Sequence, residues 1–182
     1  EVKTLLGIFL KSAEKIALQL PHVSFRIIKS PTLSKEFYER LLKEQTPTVR
    51  NLSVSLVEKD SYAAMRQSDL AIVCSGTATL ECALLGTPMI ICNHASWITY
   101  LIAKKLIIVP AIGLPNLVLG EKKMPELLQY DATPEKITEA ALSILKDKAL
   151  QKSMRDDLKE VSKRLGEKGA SARAAEEILR VS

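Results

Sequence analysis

The sequence predicts an α/β protein: a Rossmann-like parallel sheet flanked by helices, with extra helices at its C-terminal end. Three observations predict it. Strand-like and helix-like segments alternate from Val23 to Cys92, and that alternation implies parallel strands with covering helices. Asp69–Cys74 is apolar after its first residue, and Met89–Cys92 is apolar throughout, as strands buried on both faces are. Charge also avoids the middle of the chain. Residues 1–60 carry ten Lys/Arg and seven Asp/Glu, residues 61–120 only three and two, and residues 121–182 thirteen and twelve. A charge-poor centre suits interior strands and site-lining turns, and the mixed-sign last third suits helices with solvated faces.

The elements follow in order. Residues 3–20 form an amphipathic helix with Leu5, Leu6, Phe9, Ala13, Ile16 and Leu20 near the helical period, stopped by Pro21. Val23–Lys29 is a strand, ended by Pro31. Ser34–Lys43 is a helix with Phe37, Leu41 and Leu42 on its apolar face, broken at Thr46-Pro47. Ser53–Glu58 is a short strand. Ser61–Ser68 is a short helix that turns Tyr62 and Met65 inward. Asp69–Cys74 is the next strand, Gly76–Leu85 the helix after it, and Gly86 its C-terminal cap. Met89–Cys92 is another buried strand. Residues 96–109 read as a helix apolar for most of its circumference, with Lys104 and Lys105 near its end and Pro110 closing it. Ile112–Leu114 reads as a short strand running into a turn at Leu114-Pro115-Asn116-Leu117, and Pro125–Gln129 as a short helix. Thr133 caps a helix that opens with Pro134 and runs to about Lys146. Charged helices over about Ala149–Leu165 and Ala170–Val181 finish the chain.

Two domains are expected. Residues 1–148 form a nucleotide-sugar-binding unit whose first strand is expected upstream of Glu1. Residues 149–182 form C-terminal helices whose stripes leave open packing on this domain or on another one; a family resemblance carried by residues 68–129 implies an absent N-terminal domain or a partner protomer.

Composition excludes several classes of function. With 182 residues, 47% of them apolar and 26% charged, the chain is globular rather than disordered. The net charge of +5 comes without a basic patch interleaved with aromatics, which argues against nucleic-acid binding. Cys74, Cys82 and Cys92 lie in apolar runs without Cys-x-x-Cys spacing, so they read as buried free thiols and not as a disulfide framework or zinc site. His22 and His94 have no metal-ligand spacing. No apolar run reaches the roughly 18 residues of a membrane span, and no signal peptide is recognised. No Ser/His/Asp or Cys/His arrangement supports a hydrolase.

The candidate chemistry centres on Ser75-Gly76-Thr77, where a buried strand passes through a small-residue turn into a helix. Free N–H groups and the helix dipole favour an anion there, and Gly76 lets a ligand approach the backbone. An ordinary capped helix start has the same pattern. Glu81 lies one helical turn beyond Thr77 among apolar and small neighbours. A carboxylate so placed suits the two hydroxyls of a ribose; a solvated helix face is the alternative. Asn116 either donates to a phosphate or caps a helix. Lys104 and Lys105 either complement a helix dipole or contact an anionic lipid or phosphate. Trp97, Tyr100 and Leu101 belong either to the core or to an acyl- or membrane-facing patch.

These residues resemble a known family. Ser68-Asp69-Leu70-Ala71, Ser75-Gly76-Thr77-Ala78-Thr79-Leu80-Glu81-Cys82 and Thr87-Pro88-Met89 carry the resemblance, followed by residues 99–106, Leu114-Pro115-Asn116-Leu117 with Gly120, and Pro125-Glu126-Leu127-Leu128-Gln129. In order and spacing they resemble the lipid-A-disaccharide synthases. The resemblance implies the C-terminal, UDP-binding half of an inverting glycosyltransferase of the GT-B architecture. The implied reaction moves 2,3-diacylglucosamine from UDP to 2,3-diacylglucosamine 1-phosphate (lipid X), forming the β-1,6 lipid A disaccharide. By the same resemblance Ser75, Gly76 and Thr77 hold the diphosphate, Glu81 the ribose, and Asn116 the UDP phosphates. No cofactor or metal is implied. The family's Gly-Ser-Arg turn and its general base are expected in sequence before Glu1, so the catalytic residue is unknown and the fragment alone is expected to be inactive. The implied location is the cytoplasmic face of the inner membrane, peripherally bound, with a homodimer formed through the C-terminal helices. The chain departs from the family at Asn93-His94-Ala95-Ser96-Trp97, where members often carry Tyr-Lys/Arg-Met/Leu-Ser-Pro. Another UDP-GlcNAc-using GT-B enzyme, such as the peptidoglycan glucosaminyltransferase or the UDP-GlcNAc 2-epimerase, is the rival enzyme reading. A non-catalytic nucleotide-binding module is the rival from another class.

Overall fold

A computed structural model of the chain describes residues 2–45, 52–93, 111–166 and 169–181. Helix α1 (Val2–Gln19) leads into strand β1 (Phe25–Ile28), followed by α2 (Lys35–Gln45) and β2 (Val54–Val57). Then come α3 (Ser61–Arg66), β3 (Ala71–Cys74), α4 (Thr77–Leu84) and β4 (Met89–Asn93). Helix α5 (Leu114–Leu119) precedes β5 (Glu126–Leu128) and a 3-10 turn at Gln129–Asp131. Helices α6 (Pro134–Lys146), α7 (Lys148–Leu165) and α8 (Ala170–Val181) complete the described chain.

All described strand pairs are parallel, as the alternation predicts. β1 pairs with β2, Phe25 opposite Val54. β3, β4 and β5 pair in that order, Cys74 opposite Cys92 and Asn93 opposite Leu128. The β3–β4 ladder continues beyond the strands, where Ala71 N–H donates to the Pro88 carbonyl and Ser75 N–H to the Cys92 carbonyl, both at 2.9 Å. β4 is the central strand of its group, and Met89, Ile90, Ile91 and Cys92 are fully buried.

Those four residues lie in a core cluster with Ile16 of α1, Cys82 and Ala83 of α4, Ile137, Ala141 and Ile144 of α6, and Met154, Leu158 and Val161 of α7. A second cluster joins Leu6 and Leu10 of α1 to Tyr38 and Leu41 of α2. Helix α7 therefore closes the same core as the sheet, and the boundary drawn after residue 148 does not mark the core's end. Its N-terminus is fixed by Asp147, whose carboxylate accepts from the N–H groups of Ala149 and Leu150 at 2.8 and 2.9 Å.

Three local expectations are corrected. The strand over Ile112–Leu114 and its following turn give way to α5, in which Pro115 occupies the first turn. A proline there opens a helix, because its missing N–H lies where no intrahelical bond forms. The helix expected over Pro125–Gln129 is instead β5, whose pairing with β4 overrides the helix propensity of Glu-Leu-Leu. Tyr62 was expected to face inward and is 58% exposed; α3 buries Ala64 and Met65 instead. The helix expected over 96–109, with Trp97, Tyr100, Leu101, Lys104 and Lys105, lies outside the described residues.

Candidate functional site

The C-terminal ends of β3, β4 and β5 share one edge of the sheet, because the strands are parallel and adjacent. In open parallel α/β sheets this is the edge that receives ligands. Ser75 still belongs to the ladder through its N–H. Gly76 then leaves the sheet with φ 152° and ψ −165° and serves as the N-cap of α4. That region of backbone space is essentially restricted to glycine. A Cβ built on Gly76 would meet nothing within 4 Å, so conformation and not crowding selects glycine here. The same open space exposes the backbone to an incoming ligand.

The turn is held from below. Thr79, fully buried, donates both its N–H (3.1 Å) and its hydroxyl (2.6 Å) to the Gly76 carbonyl. No side chain caps the start of α4. Ser75 is half-buried and Thr77 exposed at that start. Glu81 follows one turn later, half-buried, between Leu80 and the buried Cys82. Among the described residues its carboxylate has no hydrogen-bond or ion-pair partner. The structure thus brings Ser75, Gly76, Thr77 and Glu81 together on one short strand–turn–helix unit, with an open helix start and an unengaged carboxylate.

Asn116 stands differently. It is fully buried inside α5, and both ends of its amide are engaged. Its Nδ2 donates to the Met124 carbonyl at 2.8 Å and to Glu126 Oε1 at 2.9 Å. Its Oδ1 accepts from the N–H groups of Lys123 (3.0 Å) and Met124 (2.8 Å). An amide has two donor hydrogens and two acceptor positions, and all four are used. The helix cap expected for Asn116 is replaced here by a tie between α5 and the segment that enters β5, made by the same amide that the family resemblance assigns to the UDP phosphates.

Glu126 completes that knot and was not singled out by sequence reasoning. Its carboxylate also accepts from the N–H groups of Ile112 (3.1 Å) and Gly113 (2.8 Å). Its place in Pro125-Glu126-Leu127-Leu128-Gln129, one of the motifs that carry the family resemblance, was its sequence signal.

The thiols of Cys82 and Cys92 are buried, and that of Cys74 is half-buried. Burial first, and the neighbouring Glu81 carboxylate second, push Cys82 up to about 11. Burial first, and Cys74 second, push Cys92 up to about 12. Both stay protonated at neutral pH, so neither is a nucleophile there. Among the described residues no group of three or more His, Cys, Asp or Glu side chains is arranged to hold a metal ion. A cleft of about 440 Å³ lies along α1 between Lys3 and Lys11 and against Pro134. It contains none of the turn residues; among the described residues Gly76 and Thr77 are exposed. No described helix is long and apolar enough to cross a membrane.

A family model described as lipid-A-disaccharide synthetase matches residues 1–179. The lipid-A-disaccharide synthase of Anaeromyxobacter dehalogenans (strain 2CP-C) is 36% identical over 181 residues, covering 100% of this chain and 46% of the relative. That of Persephonella marina is 36% identical over 182 residues, covering 100% and 48%. That of Syntrophus aciditrophicus is 39% identical over 175 residues, covering 96% and 45%. The chain spans about half the length of these curated relatives.

Proposed function

This chain belongs to the lipid-A-disaccharide synthase family, and we propose that it forms the UDP-sugar-binding half of such a glycosyltransferase. One observation carries the reading: the glycine-restricted turn at Gly76 opens onto an uncapped helix, with the unengaged Glu81 carboxylate one turn further on. In this reading the hydroxyls of Ser75 and Thr77 and the N–H groups at the start of α4 meet the diphosphate. The helix dipole adds to their attraction. Glu81 accepts from the two ribose hydroxyls. As the sugar leaves UDP, negative charge grows on the diphosphate. Donors already aimed at it lower the barrier without a metal.

We further propose an inverting transfer of 2,3-diacylglucosamine from UDP to lipid X, forming the β-1,6 disaccharide. The relatives are lipid-A-disaccharide synthases of about twice this length, which supports the reading. The acceptor site and the general base are proposed to lie in the part of such a protein that this chain does not match, so the chain alone makes no disaccharide. Peripheral attachment to the inner membrane through residues 97–105, and a homodimer through the C-terminal helices, belong to the same proposal.

Titration calorimetry with UDP tests the site. The wild-type chain is expected to bind UDP weakly, and Glu81→Ala to abolish the heat signal while leaving the fold intact, since no described residue depends on that carboxylate. Equal affinity in the two proteins would remove Glu81 from the site.

A further inference from the structure

Gln129 follows the last residue of β5 with φ 53°, in the left-handed region. A side chain with a Cβ is disfavoured there, and the cheap residues are Gly, Asn and Asp. The other described non-glycine residue with positive φ is Asp60, at φ 57°. Its conformation has a local explanation: aspartate tolerates this region, and the Asp60 carbonyl accepts from Ala64 N–H at 3.0 Å to start α3. Gln129 lacks the first part of that explanation. Its backbone is nevertheless held on both sides. Leu128 before it is in register with Asn93. Behind it, Ala132 N–H donates to the Gln129 carbonyl at 3.2 Å, Ala132 is buried, and Asp131 forms an ion pair with Lys136. The Gln129 amide is half-buried and has no hydrogen-bond partner among the described residues. A strained backbone thus presents an unengaged amide at the edge of the sheet that carries the Gly76 turn. Strain kept at such a position points toward function.

The chemistry of the side chain narrows its ligand. A neutral amide donates and accepts, which matches a hydroxyl or N-acyl group; a phosphate calls for a cation or an array of N–H groups. β5 lies two strands from β3, about 10 Å across the edge, comparable to the span of a diphosphate and its attached hexose. Resting on the nucleotide reading of the Gly76 turn, we infer that Gln129 is a specificity-determining residue that reads the hexose of a bound sugar nucleotide.

Gln129→Gly and Gln129→Asn both suit the left-handed backbone. Wild type and both variants are titrated with UDP and with UDP-N-acetylglucosamine, and their melting temperatures are recorded. The expected result is a melting temperature no lower than wild type in either variant, unchanged UDP affinity, and a loss of about tenfold in UDP-N-acetylglucosamine affinity for Gln129→Gly. Unchanged affinity for the sugar nucleotide in Gln129→Gly overturns the inference and leaves the nucleotide reading standing. An equal loss for UDP also overturns it, by assigning Gln129 to the nucleotide. A wild-type chain that binds no UDP overturns the nucleotide reading and this inference together.

Discussion

Asn116 shows how one buried amide decides a local fold. Its four hydrogen bonds hold the start of β5 against α5, and Glu126 extends the same knot to the backbone of Ile112 and Gly113. Asn116→Ala would leave the buried Met124 N–H and carbonyl without these partners. Each buried group left unsatisfied costs about 1–3 kcal/mol, so the variant is expected to lose roughly 2–6 kcal/mol. At about 2–4 °C per kcal/mol for a chain of this size, that lowers the melting temperature by at least about 4 °C, measurable by circular dichroism. A normal melting temperature with lost UDP affinity would favour the direct phosphate contact that the family resemblance implies. The buried network around Asn116 was not legible, because sequence spacing gives the type of a side chain but not its surroundings. Asn116 looks like a turn residue beside Pro115 until Lys123, Met124 and Glu126 are known to converge on it. Gly76 was legible for the opposite reason: a small-residue turn between a buried strand and a helix constrains its own backbone locally.

At the scale of elements, long periodic segments and the short apolar strands β3 and β4 were readable, and the short segments at 112–117 and 125–129 were not. α1, α6 and α7 carry apolar stripes over many turns, and Thr133 and Pro134 announce α6 directly, the Thr133 hydroxyl accepting from Lys136 N–H at 3.3 Å. β5 has three residues, and only its neighbour β4 makes it a strand. The contacts joining α7 to the sheet layer were also invisible in sequence, because its arginines read as ordinary solvated charges. Arg155 donates to the Gly86 carbonyl at 2.6 Å, just past the C-terminal end of α4. Arg164 donates to the Val118 and Leu119 carbonyls at the end of α5, at 3.1 and 2.8 Å. A cation at a helix C-terminus satisfies carbonyls that lack helical partners and complements the dipole. Arg155→Ala is therefore expected to cost about 1–2 kcal/mol, seen as a lower urea midpoint with an unchanged slope. An unmoved midpoint would mean that apolar packing alone docks α7.

For the whole molecule the question is where the fold ends. The narrow apolar stripes of α7 and α8 left open whether they pack on this domain or on another, and the family resemblance implied an absent N-terminal domain or a partner protomer. Their burial separates them. Met154, Leu158 and Val161 of α7 sit in the cluster that surrounds β4. On α8, Ile178 and Leu179 are 69% and 76% exposed. Fully burying a side chain of this kind contributes about 1.5–3 kcal/mol, so the three α7 residues together supply roughly 5–9 kcal/mol. That is comparable to the entire stability of a typical domain, about 5–15 kcal/mol. Deleting residues 148–182 is accordingly expected to abolish the cooperative thermal transition, while deleting 167–182 removes little buried apolar area and shifts stability by under about 1 kcal/mol. Thermal melts of the two truncated chains beside the intact one decide it. A chain ending at 147 that melts like the intact protein would return α7 to the separate C-terminal unit. If the chain ending at 166 loses its transition, α8 belongs to the core despite its exposed apolar face. The expected outcome divides residues 149–182 between their two helices: α7 completes the core around β4, and α8 keeps an apolar face turned to solvent.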